Sequence, residues 1–126
     1  MDRDAIGEGT IAESIASRLR HCSVVTPCEA SLQKTIQELF IAHAIPHERE
    51  YALSPSERVD FYVCEESLAI EVKVKGSTSQ VIRQLQRYAL CPEVHSIMLV
   101  TTRLRHRAVP THINRKPIHV VCLMPF

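Results

Sequence analysis

No run of roughly 18 apolar residues occurs in the chain, and no basic-then-apolar leader is seen in it, so neither a helical membrane span nor a secretory signal is expected. A soluble, cytoplasmic protein with no membrane partner is therefore expected. Internal repeats and low-complexity tracts are also lacking. Cys22, Cys28, Cys64, Cys91 and Cys122 are scattered, odd in number and include no Cys-x-x-Cys pair. Buried, reduced thiols in a reducing compartment are the expectation. The seven histidines show no ligand spacing, so no zinc site is expected, and His106 and His112 are expected on the surface of a basic loop.

Net charge is nearly absent too, at +1. That small total conceals a division along the chain. Residues 1–70 carry six Lys/Arg against twelve Asp/Glu, a balance of −6, whereas residues 71–126 carry nine against two, a balance of +7. Such a basic half is a nucleic-acid signal, or else charge scattered for solubility. With 126 residues, 45% of them hydrophobic, the chain can bury one core and has little room for an added binding module.

Within that core, parity of side chains gives the most informative pattern. In Arg58–Cys64, Val59, Phe61 and Val63 share one face of a strand, and Asp60 and Tyr62 take the other. In Leu68–Lys75, Leu68, Ile70, Val72 and Val74 share a face, and Glu71, Lys73 and Lys75 lie opposite. A hairpin turning through Glu65 and Glu66 and pairing Val63 with Leu68, Phe61 with Ile70 and Val59 with Val72 buries every apolar partner together. The same register sets Asp60 opposite Glu71. Opposed residues on one face have Cβ atoms about 5 Å apart, so these carboxylates repel unless a cation lies between them. Mg²⁺, with oxygen ligands at about 2.1 Å and several retained waters, fits that gap, as would Mn²⁺. Lys73 points to the same side, where an ammonium can orient a water or stabilise charge on phosphate oxygens. The competing reading is a solvated hairpin face with these charges paired across the strands.

A helix then starts at Ser77-Thr78-Ser79. Gln80, Arg83, Gln84, Arg87 and Tyr88 recur at spacings of three and four and form one stripe, while Val81, Ile82, Leu85 and Ala89 supply the buried side. Such a stripe would contact phosphate beside the acids, or would simply face solvent.

Over Glu29 to Thr102 the chain resembles the PD-(D/E)XK nuclease superfamily, in its RecB and λ-exonuclease branch. The pieces that carry the resemblance are Asp60 in Arg58-Val59-Asp60-Phe61, the strand Ala69-Ile70-Glu71-Val72-Lys73, and Gln84-Leu85-Gln86-Arg87-Tyr88, which fits a Gln-x-x-x-Tyr element. Val59 stands where the superfamily name has proline. The resemblance implies Asp60, Glu71 and the Val72 carbonyl as metal ligands, Lys73 as the group assisting water, and Gln84 and Tyr88 at the active site. It also implies an acid on the first helix, for which Glu29 is the best positional match and Glu38 the second. Helix capping explains Glu29 equally well. Some relatives carry an iron–sulfur cluster on clustered C-terminal cysteines, but only Cys122 lies near this C-terminus, so no cluster is expected.

The remaining elements follow from local signals. An amphipathic helix is expected within residues 1–22, from Ile11, Ile15 and Leu19. Thr26 as N-cap, Pro27 and Glu29 predict a helix running to about His43. A strand is expected at Glu48–Leu53, a central buried strand at Ile97–Val100, and an edge strand from Pro117 to Met124. The expected class is α/β (α+β): an αβββαβ core with a mixed sheet flanked by helices. Residues 1–25 would form a helical extension to a single domain over 26–126.

The expected function is Mg²⁺- or Mn²⁺-dependent hydrolysis of phosphodiester bonds, with DNA favoured and RNA left open. Lys75, Gln80, Arg83, Arg87, Arg103, Arg105 and Arg107 would bind the nucleic acid, aided by Arg115 and Lys116, with largely sequence-independent affinity. The alternatives are a junction- or flap-selective endonuclease acting as a homodimer, and a non-cleaving nucleic-acid-binding or assembly protein on the same fold.

Overall fold

A computed structural model describes residues 10–22 and 28–123. Three helices, α1 (Ile11–Arg20), α2 (Glu29–Ala42) and α3 (Thr78–Ala89), flank a sheet of six strands. The strands are β1 (Glu48–Ala52), β2 (Arg58–Val63), β3 (Leu68–Lys73), β4 (Ser96–Thr101), β5 (His112–Ile113) and β6 (Lys116–Cys122), arranged in the order β1-β2-β3-β4-β6-β5. The first three strands are antiparallel, while β3, β4 and β6 run parallel. Parallel neighbours need a long crossover; between β3 and β4 it is α3. The expected α/β class, with helices on a mixed sheet, is what the structure shows. From residue 29 the order is helix, three strands, helix, strand, as the periodicities predict. Among the described residues no helix is long and apolar enough to cross a membrane.

Two cores fill the two faces of the sheet. On one, Ala12, Ile15 and Leu19 of α1 and Leu32, Ile36 and Phe40 of α2 pack on Phe61, Val63, Leu68, Ile70, Val72, Met98 and Val100. On the other, Val81, Leu85, Tyr88 and Ala89 of α3 pack on Val59, Tyr62, Ala69, Ile97, Leu99 and Ile118. The hairpin face that the competing reading leaves in solvent is thus covered by α3. Helix α1 shares its core with α2, and Glu66 of the β2–β3 loop accepts hydrogen bonds from the first two amides of α1 at 2.9 and 3.1 Å.

Several local expectations are corrected. Helix α2 begins after an extended Cys28, which makes Cys28 its N-cap and moves Glu29 to the first helical position; Thr26 and Pro27 lie outside the described residues. Strand β3 ends at Lys73, so Lys75 belongs to the following loop. Strand β6 is not the outermost strand along its whole length, because β5 pairs with Lys116 and Pro117. The turn joining them places Asn114 and Arg115 at positive φ, the conformation that two-residue hairpin loops demand. Of the cysteines only Cys91 is buried; Cys28 and Cys64 are exposed, and all five are free thiols.

Candidate active site

The hairpin register is as parity predicts where it exists: Val63 pairs with Leu68 and Phe61 with Ile70. The ladder stops there, and the expected Val59–Val72 pair does not form. On the other side of β2 the β1 ladder skips the step between Arg49–Phe61 and Tyr51–Val59, where Glu50 takes a positive φ of 49°. Asp60 therefore sits where both flanking ladders are interrupted. The interruption turns Val59 onto the α3 face, opposite to Phe61 and Val63, and Tyr62 is buried on that same α3 face. Freed from the pleat, the Asp60 carboxylate accepts the Val72 amide at 2.7 Å. In an extended strand the N–H and C=O of one residue point to the same side, so the Val72 carbonyl enters the same fork. The opposite direction is taken by the Lys73 carbonyl, which accepts Thr102 N from the β4 side at 3.3 Å.

Glu71 projects beneath α3 and is 5% exposed. Its Oε2 lies 3.2 Å from Lys73 Nζ. Its Oε1 lies 3.1 Å from the Tyr88 hydroxyl, which also reaches the Arg58 carbonyl at 3.1 Å and accepts a hydrogen bond from Gln84 Nε2 at 2.7 Å. One hydroxyl proton thus serves two acceptors. Tyr88 is 1% exposed, with a buried ring among Val81, Leu85 and Ala89. Its expected place on the polar stripe is corrected: only the hydroxyl reaches the site, through Glu71.

Burial above all, and then the charge of Asp60, push the Glu71 carboxyl up from 4.5 to about 7, against the pull of Lys73 and Tyr88. Asp60 is also raised, chiefly by burial and further by the charge of Glu29, while the Val72 amide opposes the shift. Two acids that burial and mutual repulsion both oppose, with one ammonium beside them, form a donor set short of positive charge. That shortfall, and three hard oxygen donors counting the Val72 carbonyl, suit a divalent cation such as Mg²⁺ or Mn²⁺. Among the described residues no three His, Cys, Asp or Glu side chains cluster closely enough to hold a metal by themselves. Water and substrate oxygens would complete the shell, as Mg²⁺ prefers.

A cleft of about 190 Å³ is lined by Glu29, Lys73, Lys75, Gly76, Gln80, Val81 and Gln84; neither Asp60 nor Glu71 lines it, and Lys73, in contact with Glu71, joins it to the pair. Glu29 therefore faces the site, whereas Glu38 is exposed farther along α2. A larger concavity of about 660 Å³ lies between α1 and the end of α2, lined by Glu13, Arg18, His21, Cys22 and His43 among others. Among the described residues Glu13 is the one acid in its lining, so chemistry rather than size singles out the Asp60–Glu71 pair as the candidate site.

The expected nucleic-acid contacts divide by position. Lys75 and Gln80 line the cleft, although the Gln80 side-chain oxygen Oε1 is used to cap α3 by accepting Ser77 N at 3.0 Å. Arg83 is exposed, and Arg87 is held by Glu57 at 3.0 Å. The Nε groups of Arg103 and Arg105 donate to the carbonyls of Val74 and Gly76 at 2.7 and 3.1 Å. Arg107 lies away from the cleft, in a groove with Arg20, Pro110 and Val120. His106 is fully buried rather than on the surface, between Thr101 and Gly76. Local patterns missed Thr101, His106 and Gly76; the one available signal was a glycine directly before a helix cap, which here adopts φ +102°. None of the known family models, curated proteins or solved structures compared with the chain matches it.

Proposed function

We propose that the chain is a divalent-metal-dependent nuclease, cleaving phosphodiester bonds at Asp60, Glu71 and Lys73. The observation carrying this reading is the desolvated Asp60–Glu71 pair at the strand fork, with Lys73 Nζ 3.2 Å from Glu71. When bound there, Mg²⁺ or Mn²⁺ would supply Lewis-acid polarisation of the phosphoryl group and of the attacking water. Asp60 and Glu71 would hold the cation, and the Val72 amide and Tyr88 hydroxyl fix the two carboxylates in place. Lys73 orients the water or stabilises charge on the phosphate. The cleft carrying Lys75, Gln80 and Gln84 receives the adjoining backbone, with DNA the favoured substrate and binding that weakens as salt rises.

The test is incubation with linear, circular and branched DNA in Mg²⁺, Mn²⁺ or EDTA. Metal-dependent cutting that EDTA stops is the expected result. Cutting confined to branched DNA would instead favour a junction- or flap-selective endonuclease acting as a homodimer. Absence of cutting on every substrate in both metals would overturn the reading in favour of a nucleic-acid-binding or assembly protein.

A further inference from the structure

The segment after β4 is tied to the loop after β3 in both directions. Thr102 N donates to Lys73 O at 3.3 Å, Arg103 Nε to Val74 O at 2.7 Å, and Arg105 Nε to Gly76 O at 3.1 Å. In return the Thr78 hydroxyl donates to Arg105 O at 2.9 Å. At the centre is the fully buried pair Thr101 and His106. Gly76 O can only accept, so His106 Nε2, 2.8 Å away, carries the proton. Thr101 Oγ1 accepts Arg103 N at 3.0 Å and lies 2.6 Å from His106 Nδ1. The hydroxyl proton then goes to Nδ1, and every polar atom of the pair has a partner. Thr101 is also the register partner of Lys73 across the parallel β3–β4 ladder. A buried polar network with all its partners fixes one geometry, because each broken contact leaves an unsatisfied group in a dry interior.

We infer that His106, oriented by Thr101, is a positioning residue: it clamps the Gly76 carbonyl and thereby fixes the loop that joins Lys73 to the start of α3. Gly76 and Lys73 share the wall of the cleft, so displacement of the loop moves the ammonium relative to Glu71. The inference deepens the nuclease reading and rests on it for its catalytic consequence. The clamp itself is a physical contact that can be tested without turnover.

Two substitutions of His106 separate the contacts. His106→Gln retains an N–H long enough to reach Gly76 O, while His106→Asn retains a polar group near Thr101 and falls short of Gly76. In His106→Asn, amide hydrogen exchange over residues 75–80 should accelerate. Turnover of DNA should fall roughly 10- to 100-fold, with KM and Mn²⁺ affinity at the parent values. His106→Gln should restore slow exchange and most of the rate. Equal behaviour of the two variants, in exchange and in rate, would overturn the clamp. If the parent cuts no DNA, the nuclease reading fails by itself; faster exchange at 75–80 in the Asn variant alone would then still support the clamp, and equal exchange would sink it.

Discussion

The two faces of the sheet differ in what they bury: beneath α1 and α2 the buried side chains are apolar, such as Phe40 edge-on to Phe61 at 5.5 Å, with the Arg49 guanidinium over the Phe61 ring at 4.8 Å, whereas beneath α3 the apolar packing surrounds Glu71 and the Tyr88 hydroxyl. The first arrangement is stabilised mainly by burial, at about 25 cal/mol per Å² of apolar surface. The second works against itself, because burial lifts Glu71 to about 7. A fold selected for stability alone would fill that position with an apolar side chain. On the α3 face a buried, under-compensated acid costs stability, which is what the proposed cation site would require.

Breaking the dry face should give the largest change. Phe40→Ala should lower unfolding free energy by about 3–5 kcal/mol, read by denaturant titration and nearly independent of pH between 5 and 8. On the other face, Lys73→Ala should reduce turnover by roughly 10²–10³-fold while leaving DNA binding intact. Parent-rate cleavage by that variant would remove Lys73 from the mechanism.

Glu71→Gln sharpens the contrast through its sign. The folded-state value of Glu71 is raised, so between 4.5 and about 7 the folded chain keeps a proton that the unfolded chain has released. The stability contributed by this group is fully present below that window and is lost as pH rises through it. Without metal, Glu71→Gln should therefore stabilise the protein by about 3 kcal/mol at pH 8 and by little at pH 4. Equal effects at both values would mean that Glu71 is not desolvated as described. Smallest of all, Tyr88→Phe should alter stability by about 1 kcal/mol. It should also move the acid limb of the pH–rate profile upward, because the lost hydroxyl favours ionised Glu71. An unmoved limb would separate Tyr88 from the carboxylate.

What the sequence made legible follows the range of the interactions. Alternation in Leu68–Lys73 and the apolar run Ile97–Val100 specify strands through neighbouring residues alone, and parity of Phe61 and Val63 against Ile70 and Leu68 sets a register that the structure keeps. Parity could not reveal that the ladders on both sides break at Asp60, since the break depends on Glu50 and on the carboxylate replacing a backbone partner at Val72. Tyr88 shares helical spacing with polar Gln84 and apolar Leu85, and only the docking of α3 decides which side it joins. His106 lies among Arg103, Arg105 and Arg107 and reads as surface, yet its partner Gly76 is thirty residues away and draws it inside.

Titration of Mn²⁺ at pH 7, followed by loss of the free aqueous Mn²⁺ signal in electron paramagnetic resonance, tests the proposed shared-cation site most directly. The parent should take up Mn²⁺ while Asp60→Asn and Glu71→Gln, both verified as folded, should not. Uptake undiminished in both variants, or no uptake by the parent, would contradict the account.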